Sequence, residues 1–272
     1  MLKKRVITAF CLLPLLVVAV WFDEPLPWLT IFAAIWGVLA AMEFYRVVAE
    51  SNQKVIPITS FGLIWTLLFI LSPYLDNTHY YTYLTPLLLT SAVVLPPIWL
   101  LLRDQKEGAF LSWAWTTAGI LYIGWLLSHF VALRGLEFGR DWVLFALFIT
   151  FTSDSAAYFV GRALGRHRLA PNISPGKTWE GTTGGLIAAI GISLLLVWLL
   201  NLPINYIQAI PLTIAVSIFG QIGDLFESMF KRNMGVKDSG RGVPGHGGFL
   251  DRMDSVVFAV VVVYYYVILF GG

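Results

Sequence analysis

Residues 209–254 read AIPLTIAVSIFGQIGDLFESMFKRNMGVKDSGRGVPGHGGFLDRMD. The run 209–228 is apolar and matches the ~20 residues a helix needs to cross ~30 Å of hydrocarbon. From Asp224 to Asp254 the chain then carries five acids, five bases, a histidine and six glycines. Only 12% of the 272 residues are charged, so this segment concentrates charge that the rest of the chain avoids. A membrane span running into a dense polar loop sets the pattern for the whole sequence.

Working outward, the chain is 58% apolar with a mean hydropathy of +0.76. Soluble domains sit near half apolar and about a quarter charged, so this composition excludes that class. Long apolar segments separated by short polar ones describe an all-α polytopic membrane protein. No polar stretch exceeds roughly 25 residues, which leaves no room for a separate soluble domain. The single cysteine, Cys11, lies inside the first apolar segment. It cannot form an intramolecular disulfide and reads as a small buried hydrophobe. The net charge of +2 says little, because in a membrane protein the distribution of charge matters more than its sum. The N-terminus has the basic and apolar regions of a signal peptide, but no small-x-small site precedes Asp23-Glu24-Pro25. It is expected to stay as a first transmembrane helix.

Nine apolar segments are expected to span: 6–22, 26–42, 55–72, 83–102, 109–133, 142–160, 182–200, 209–228 and 254–271. Basic residues give the orientation. With the N-terminus in the cytoplasm, alternation of nine spans leaves only Arg134 and Arg140 outside, out of 18 Lys and Arg. That is a strong positive-inside bias, and it puts the C-terminus outside. The two longest loops, 161–181 and 229–253, then face the cytoplasm. The chain divides into 1–141, with about five spans, and 142–272, with the spans and loops that carry the chemistry. Proline marks loop edges at Pro25, Pro27, Pro57, Pro73 and Pro203, and Pro96-Pro97 inside the fourth span predicts a kink.

Several acids sit where lipid should exclude them. Asp154 lies within the sixth span, where an unpaired carboxylate costs roughly 2.5–3.5 kcal/mol even on the lenient insertion scale. Asp224 and Glu227 share a helix face near the end of the eighth span, and Asp251 and Asp254 repeat that spacing where the ninth begins. Clustered carboxylates require either Lys and Arg partners or a metal ion. Simpler roles stand beside that one. Asp251 could cap a helix starting at Arg252 or Met253. Asp154 could make one interhelical hydrogen bond. Glu227 could pair with Lys231, and Glu43 is expected to pair with Arg46.

Two loops share this side. In 172–181, NISPGKTWEG, Ser174 and Lys177 precede a helix start, and Lys177 is a point charge suited to phosphate. The pattern GxxxxGK[ST] fails because position 171 is Pro171, and no strand is expected to precede Lys177, so a P-loop is rejected. Backbone N–H groups plus Lys at a helix N-terminus remain available for an anion. The second loop, 237–254, is too glycine-dense for a helix or an ordinary strand. Lys237, Arg241, His246 and Arg252 supply positive charge, interleaved with Asp238, Asp251 and Asp254. A loop attracted only to anionic lipid would not need those acids. Acids, bases and glycines mixed in this way suit nucleotidyl transfer, where phosphates bind with cations and metals together.

These residues carry a resemblance. Ser228, Lys231-Arg232, Lys237-Asp238, Gly240, Val243-Pro244, His246-Gly247-Gly248, Asp251-Arg252 and Asp254 resemble the C-terminal signature of phosphatidate cytidylyltransferases, also called CDP-diacylglycerol synthases. Residues 153–181, SDSAAYFVGRALGRHRLAPNISPGKTWEG, and 223–232, GDLFESMFKR, are similar to that family's cytoplasmic-side segments. The resemblance is strong over roughly residues 150–256 and elsewhere is one of topology.

What it implies is a multi-pass enzyme of a bacterial plasma membrane, its active site facing the cytoplasm. The enzyme would make CDP-diacylglycerol and pyrophosphate from CTP and phosphatidate. Mg²⁺ is implied as cofactor, with K⁺ as a second cation, and a homodimer is implied; no nucleic-acid partner is expected. Asp224 and Asp251 are the first choices as metal ligands, then Asp254 and Asp154. Lys177, Lys237, Arg241 and His246 would hold CTP phosphates, and Arg232 or Arg252 the phosphatidate head, with Ser174, Asp238, Gly247 and Gly248 completing the substrate site. The other reading is a cation- or proton-coupled transporter in which Asp154 and Asp224 form a relay. A CDP-alcohol phosphotransferase is excluded, because its pattern needs an Asp-Gly dipeptide and the chain has none.

Overall fold

A computed structural model describes residues 14–22, 26–51, 55–76, 84–103, 107–243 and 247–270. Cys11, the basic residues Lys3, Lys4, Arg5, Lys54 and Lys106, Asp23-Glu24-Pro25 and His246 lie outside the described residues. Helix α1 covers 14–21. It is followed by α2 (Trp28–Ser51), α3 (Thr59–Asp76), α4 (Leu84–Leu102) and α5 (Ala109–Gly119). Helix α5 runs through a π-helical turn, Ile120–Trp125, into α6 (Leu126–Arg134). Then come α7 (Gly139–Leu164), strands β1 (Arg168–Ala170) and β2 (Ser174–Thr178), α8 (Trp179–Leu199), α9 (Tyr206–Asn233) and α10 (Asp254–Phe270).

Among the described residues, six helices are long and apolar enough to cross a membrane: Trp28–Ser51, Leu84–Leu102, Ala109–Arg134, Gly139–Leu164, Trp179–Leu199 and Tyr206–Asn233. Thr59–Leu75 and Asp254–Phe270 are apolar but shorter. The chain is thus a helical protein with several membrane-crossing segments.

Two expectations need correction. The protein is not wholly α-helical: β1 and β2 pair antiparallel, and Lys177 itself lies on β2. The reason is local. Pro171 and Pro175 forbid a helix through this segment, and Thr178 stops the strand by turning into the N-cap of α8, accepting from Gly181 N at 3.1 Å. The second correction is Pro73, which lies inside α3 rather than at a loop edge. Proline has no N–H for the Phe69 carbonyl, and the buried Ser72 hydroxyl donates to that carbonyl instead, at 2.8 Å. Pro96 and Pro97 lie within α4.

The chain folds as two compact units, Met1–Gly135 with Met234–Arg252, and Leu136–Asn233 with Met253–Gly272. The glycine-rich loop therefore belongs with the N-terminal helices and not with the helices that flank it in sequence. In the first unit, Phe69, Leu88, Ala92 and Ile120 form a buried apolar cluster. Tyr45 is fully buried and its hydroxyl donates to Thr116 O at 2.9 Å. In the second unit α7 packs on α8 through small residues: Gly181 sits on the Ala157 carbonyl, and Gly185 on Ser153. Small residues let helices approach closely where lipid gives no hydrophobic drive. A buried Ser153–Ser217 hydroxyl pair, 2.9 Å apart, ties α7 to α9.

Candidate active site

In the second unit, the β-hairpin brings a cation onto α9. Lys177 Nζ lies 2.8 Å from Asp224 Oδ2 and 3.5 Å from the Gln221 carbonyl oxygen. Ser228 donates to the other Asp224 oxygen at 3.3 Å, and Thr182 donates to the Gln221 side chain at 2.9 Å. The hairpin is fixed by the first turn of α8. Glu180 accepts from Arg166 N at 3.1 Å and from His167 N at 3.2 Å, and His167 Nδ1 is 2.6 Å from it. Lys177 therefore stands just before the N-cap of α8, at the positive end of a helix dipole, and Asp224 offsets its charge. Side-chain exposures of 21% and 30% leave both partners reachable from solvent.

One turn further along α9, Glu227 is completely buried and paired with Lys231 at 3.0 Å, the i,i+4 pairing the sequence allowed. A carboxylate with no solvent contact needs that ammonium. Arg232 is exposed, with Nε 3.4 Å from the Ile173 carbonyl, and Ser174 follows on β2. Asp254 opens α10 and accepts from Ser255 N at 2.8 Å. Its backbone carbonyl packs on Gly223, next to Asp224, where any Cβ would collide. Asp154 lies on α7, partly buried.

The first unit holds the glycine loop. Asp251 is 5% exposed, and its Oδ2 accepts from Ser239 N at 3.0 Å, Ser239 Oγ at 3.1 Å and Gly248 N at 2.7 Å. It does not cap α10, which starts three residues later at Asp254 after a 3₁₀ turn over Leu250–Arg252. Val243 N donates to Gly247 O at 2.9 Å, and Gly247 has φ +91, a backbone conformation that glycine adopts without strain. Lys237, Asp238, Arg241 and Arg252 are exposed along the same segment, while Gly248 is buried.

The sequence reading missed Glu43. It does not pair with Arg46, which binds Glu50 at 2.7 Å on the exposed side of α2. Glu43 Oε2 instead accepts from Ser239 Oγ and from Leu250 N, both at 3.1 Å. The signal was present, an acid in an apolar helix, but Arg46 three residues away offered a local explanation. Among the described residues, no three His, Cys, Asp or Glu side chains gather as a metal-holding group.

With this geometry in hand, comparison with known proteins decides the family. The sequence matches the family described as "Cytidylyltransferase family" over residues 3–270. The chain belongs to the cytidylyltransferase family. Similar members include the phosphatidate cytidylyltransferase of Bacillus subtilis (strain 168), 42% identical over 156 residues, which are 57% of this chain and 58% of that protein. The phosphatidate cytidylyltransferase of Staphylococcus haemolyticus is 41% identical over 58% of this chain and 60% of its own length. That of Brucella suis is 44% identical over 64% of this chain and 61% of its own. The similarity thus spans about 60% of the length of these curated relatives.

For a cytidylyltransferase the two clusters divide naturally. The second unit offers a hairpin lysine already engaged by an acid, and the first offers exposed cations on a loop braced from within.

Proposed function

We propose that this cytidylyltransferase transfers the cytidylyl group of CTP to phosphatidate, yielding CDP-diacylglycerol and pyrophosphate. The observation that carries the reading is the Lys177–Asp224 pair, a partly exposed cation just before α8 facing an acid on α9. The names of the relatives supply the substrates. In the reaction a phosphatidate phosphate oxygen forms a bond to the α-phosphorus of CTP, and the bond from that phosphorus to the bridging oxygen breaks. Pyrophosphate leaves with that electron pair. The lipid phosphate is already a nucleophile, so the work is to screen repulsion, align the two phosphates and stabilise the leaving group.

Each residue has a proposed part. Lys177 turns from Asp224 to the CTP phosphates as they enter, exchanging one anion for another. Lys237, Arg241 and His246 hold CTP phosphates, with Gly247 and Gly248 letting the backbone come close. Arg232 or Arg252 receives the phosphatidate head, and Ser174 and Asp238 contribute polar contacts. Mg²⁺ is the proposed cofactor, with K⁺ as a second cation. Mg²⁺ favours one or two carboxylates together with substrate phosphates and water, so it does not demand a cage of three acids. Hard carboxylate oxygens fit it, and Asp224, Asp251, Asp254 and Asp154 are the proposed ligands. Asp224 ranks first, since Asp251 Oδ2 is already committed to its loop. The ion would neutralise phosphate charge.

Nine spans with the N-terminus inside, a bacterial plasma membrane, a cytoplasmic site and a homodimer complete the proposal. A transporter with Asp154 and Asp224 as its relay is not supported, since the chain belongs to the cytidylyltransferase family. Purified protein in detergent, given labelled CTP, phosphatidate and Mg²⁺, should form a lipid-extractable cytidine product. No product, where a control synthase works, overturns the reading.

A further inference from the structure

The glycine density of the 240–248 loop has a specific cause within the first unit. A Cβ added at Gly240 would strike Glu43 Oε1, and one at Gly248 would strike Glu43 Oε2 and Ser239 Oγ. The loop is glycine-rich because it is folded down onto a carboxylate, and not because it must be loose. That carboxylate belongs to α2, 196 residues away from Ser239 in sequence. Nor is Glu43 the only anchor. Trp36 Nε1 donates to Phe249 O at 3.0 Å, with the two rings edge-to-face at 5.0 Å. Ser51 Oγ lies 3.1 Å from Met234 Sδ, where the loop begins. Trp36, Glu43 and Ser51 are spaced by about two helical turns each, so one face of α2 brackets the loop at its start, middle and end.

Glu43 is the central anchor of the three, and the only one that reaches the segment bearing the loop cations. Ser239 stands between Lys237 and Arg241, and its hydroxyl lies 3.1 Å from both Glu43 Oε2 and Asp251 Oδ2. Its single proton can serve only one carboxylate at a time. The backbone amides share the remaining work: Ser239 N and Gly248 N go to Asp251, and Leu250 N goes to Glu43. Leu250 is 1% exposed, so without Glu43 its N–H loses its acceptor away from water.

We infer that Glu43 is a positioning residue for the nucleotide: acting through Ser239 and Leu250, it pre-orders the loop that presents Lys237 and Arg241 to the CTP phosphates. This rests on the reading of that loop as a CTP-phosphate site. Holding a loop in its bound form before the ligand arrives removes the ordering cost from binding. Losing Glu43 therefore weakens CTP capture more than it weakens the fold or the handling of phosphatidate.

The test compares Glu43→Ala, Glu43→Gln and Ser239→Ala with Lys237→Ala and Arg241→Ala in purified full-length protein. Three readouts are taken: KM for each substrate, melting temperature, and the rate of tryptic cleavage after Lys237 and Arg241 with and without CTP. Glu43→Ala should raise KM for CTP by about ten-fold, the loss expected when hydrogen bonds to a charged acceptor are removed. KM for phosphatidate should stay within about two-fold, and tryptic cleavage should quicken. Glu43→Gln keeps a carbonyl oxygen for Leu250 N–H and should fall between. If Glu43→Ala does not fold, Glu43→Gln and Ser239→Ala carry the same comparison. Unchanged KM for CTP and unchanged cleavage in the Glu43 variants, with KM raised by Lys237→Ala and Arg241→Ala, overturn the positioning role alone. Equal rises in KM for both substrates alongside a lower melting temperature also overturn it, in favour of a purely structural part. If Lys237→Ala and Arg241→Ala leave KM for CTP unchanged while the enzyme still turns over, the loop reading itself fails, and the inference falls with it.

Discussion

Two pairs of acids, one pair in each unit, are held in opposite ways. In the second, Asp224 and Glu227 on α9 are answered by lysines, Lys177 at 2.8 Å and Lys231 at 3.0 Å. In the first, Glu43 and Asp251 are answered by backbone N–H groups and one serine hydroxyl. A lysine partner can leave and be replaced by another cation, whereas a set of amides is part of the chain's own shape. Under the proposed function, the difference separates an acid that exchanges its partner, Asp224, from acids that hold a loop in place. Burial refines it: Asp224 is reachable and Glu227 is not, so only the first of the two lysine pairs is free to trade.

The largest effect should come from the pair that cannot trade. Lys231→Met removes the ammonium that faces the buried Glu227 carboxylate and should cost about 3–5 kcal/mol of stability. Thermal unfolding in detergent checks it, and the double variant with Glu227→Gln should recover much of the loss. A single variant as stable as the parent would break the distinction between the two pairs.

Next comes Asp224→Asn, which removes the exchangeable acid with little change in shape. Turnover should drop by about 10²–10³-fold, the range for loss of one electrostatic group acting on the reaction. Its melting temperature should hold. Asp251→Asn should lower activity by about 10–100-fold, as losing a group that orients others does. Unlike Asp224→Asn, it should also speed proteolysis within 237–252. If both aspartate variants opened the loop equally, the contrast between the clusters would fail.

The smallest effect is expected at Arg46, whose pair with Glu50 is 75% and 63% exposed. Arg46→Ala should leave melting temperature and activity close to the parent's. A large loss of activity there would mean that Arg46 serves Glu43 after all.

What the sequence showed and what it hid follow from range. Apolar runs are a local property, and every segment after the first overlaps a helix, from 26–42 with α2 to 254–271 with α10. The Glu227–Lys231 pair was equally legible, since helix geometry fixes i,i+4 neighbours. The hairpin was missed because three- and five-residue strands leave little periodicity to read. Glu43 was missed because its partners lie at Ser239 and Leu250, and helix spacing offers no view of contacts that distant. Asp251 was seen as important for an incomplete reason: its position before a helix suggested a cap or a ligand, while its three hydrogen bonds turn back into the loop. The glycines were read as room for a ligand, and part of that room is filled by Glu43.

The central claim is that the α-phosphorus of CTP, with its cytidine, is transferred to phosphatidate while pyrophosphate leaves. CTP labelled at the α-phosphate and, separately, at the γ-phosphate can be incubated with the protein, phosphatidate and Mg²⁺, and the lipid phase counted. The account predicts that α-label enters the lipid and γ-label leaves as pyrophosphate, and that both signals are lost in Asp224→Asn. Label from the γ-phosphate in the lipid, or transfer that survives unchanged in Asp224→Asn, would contradict it.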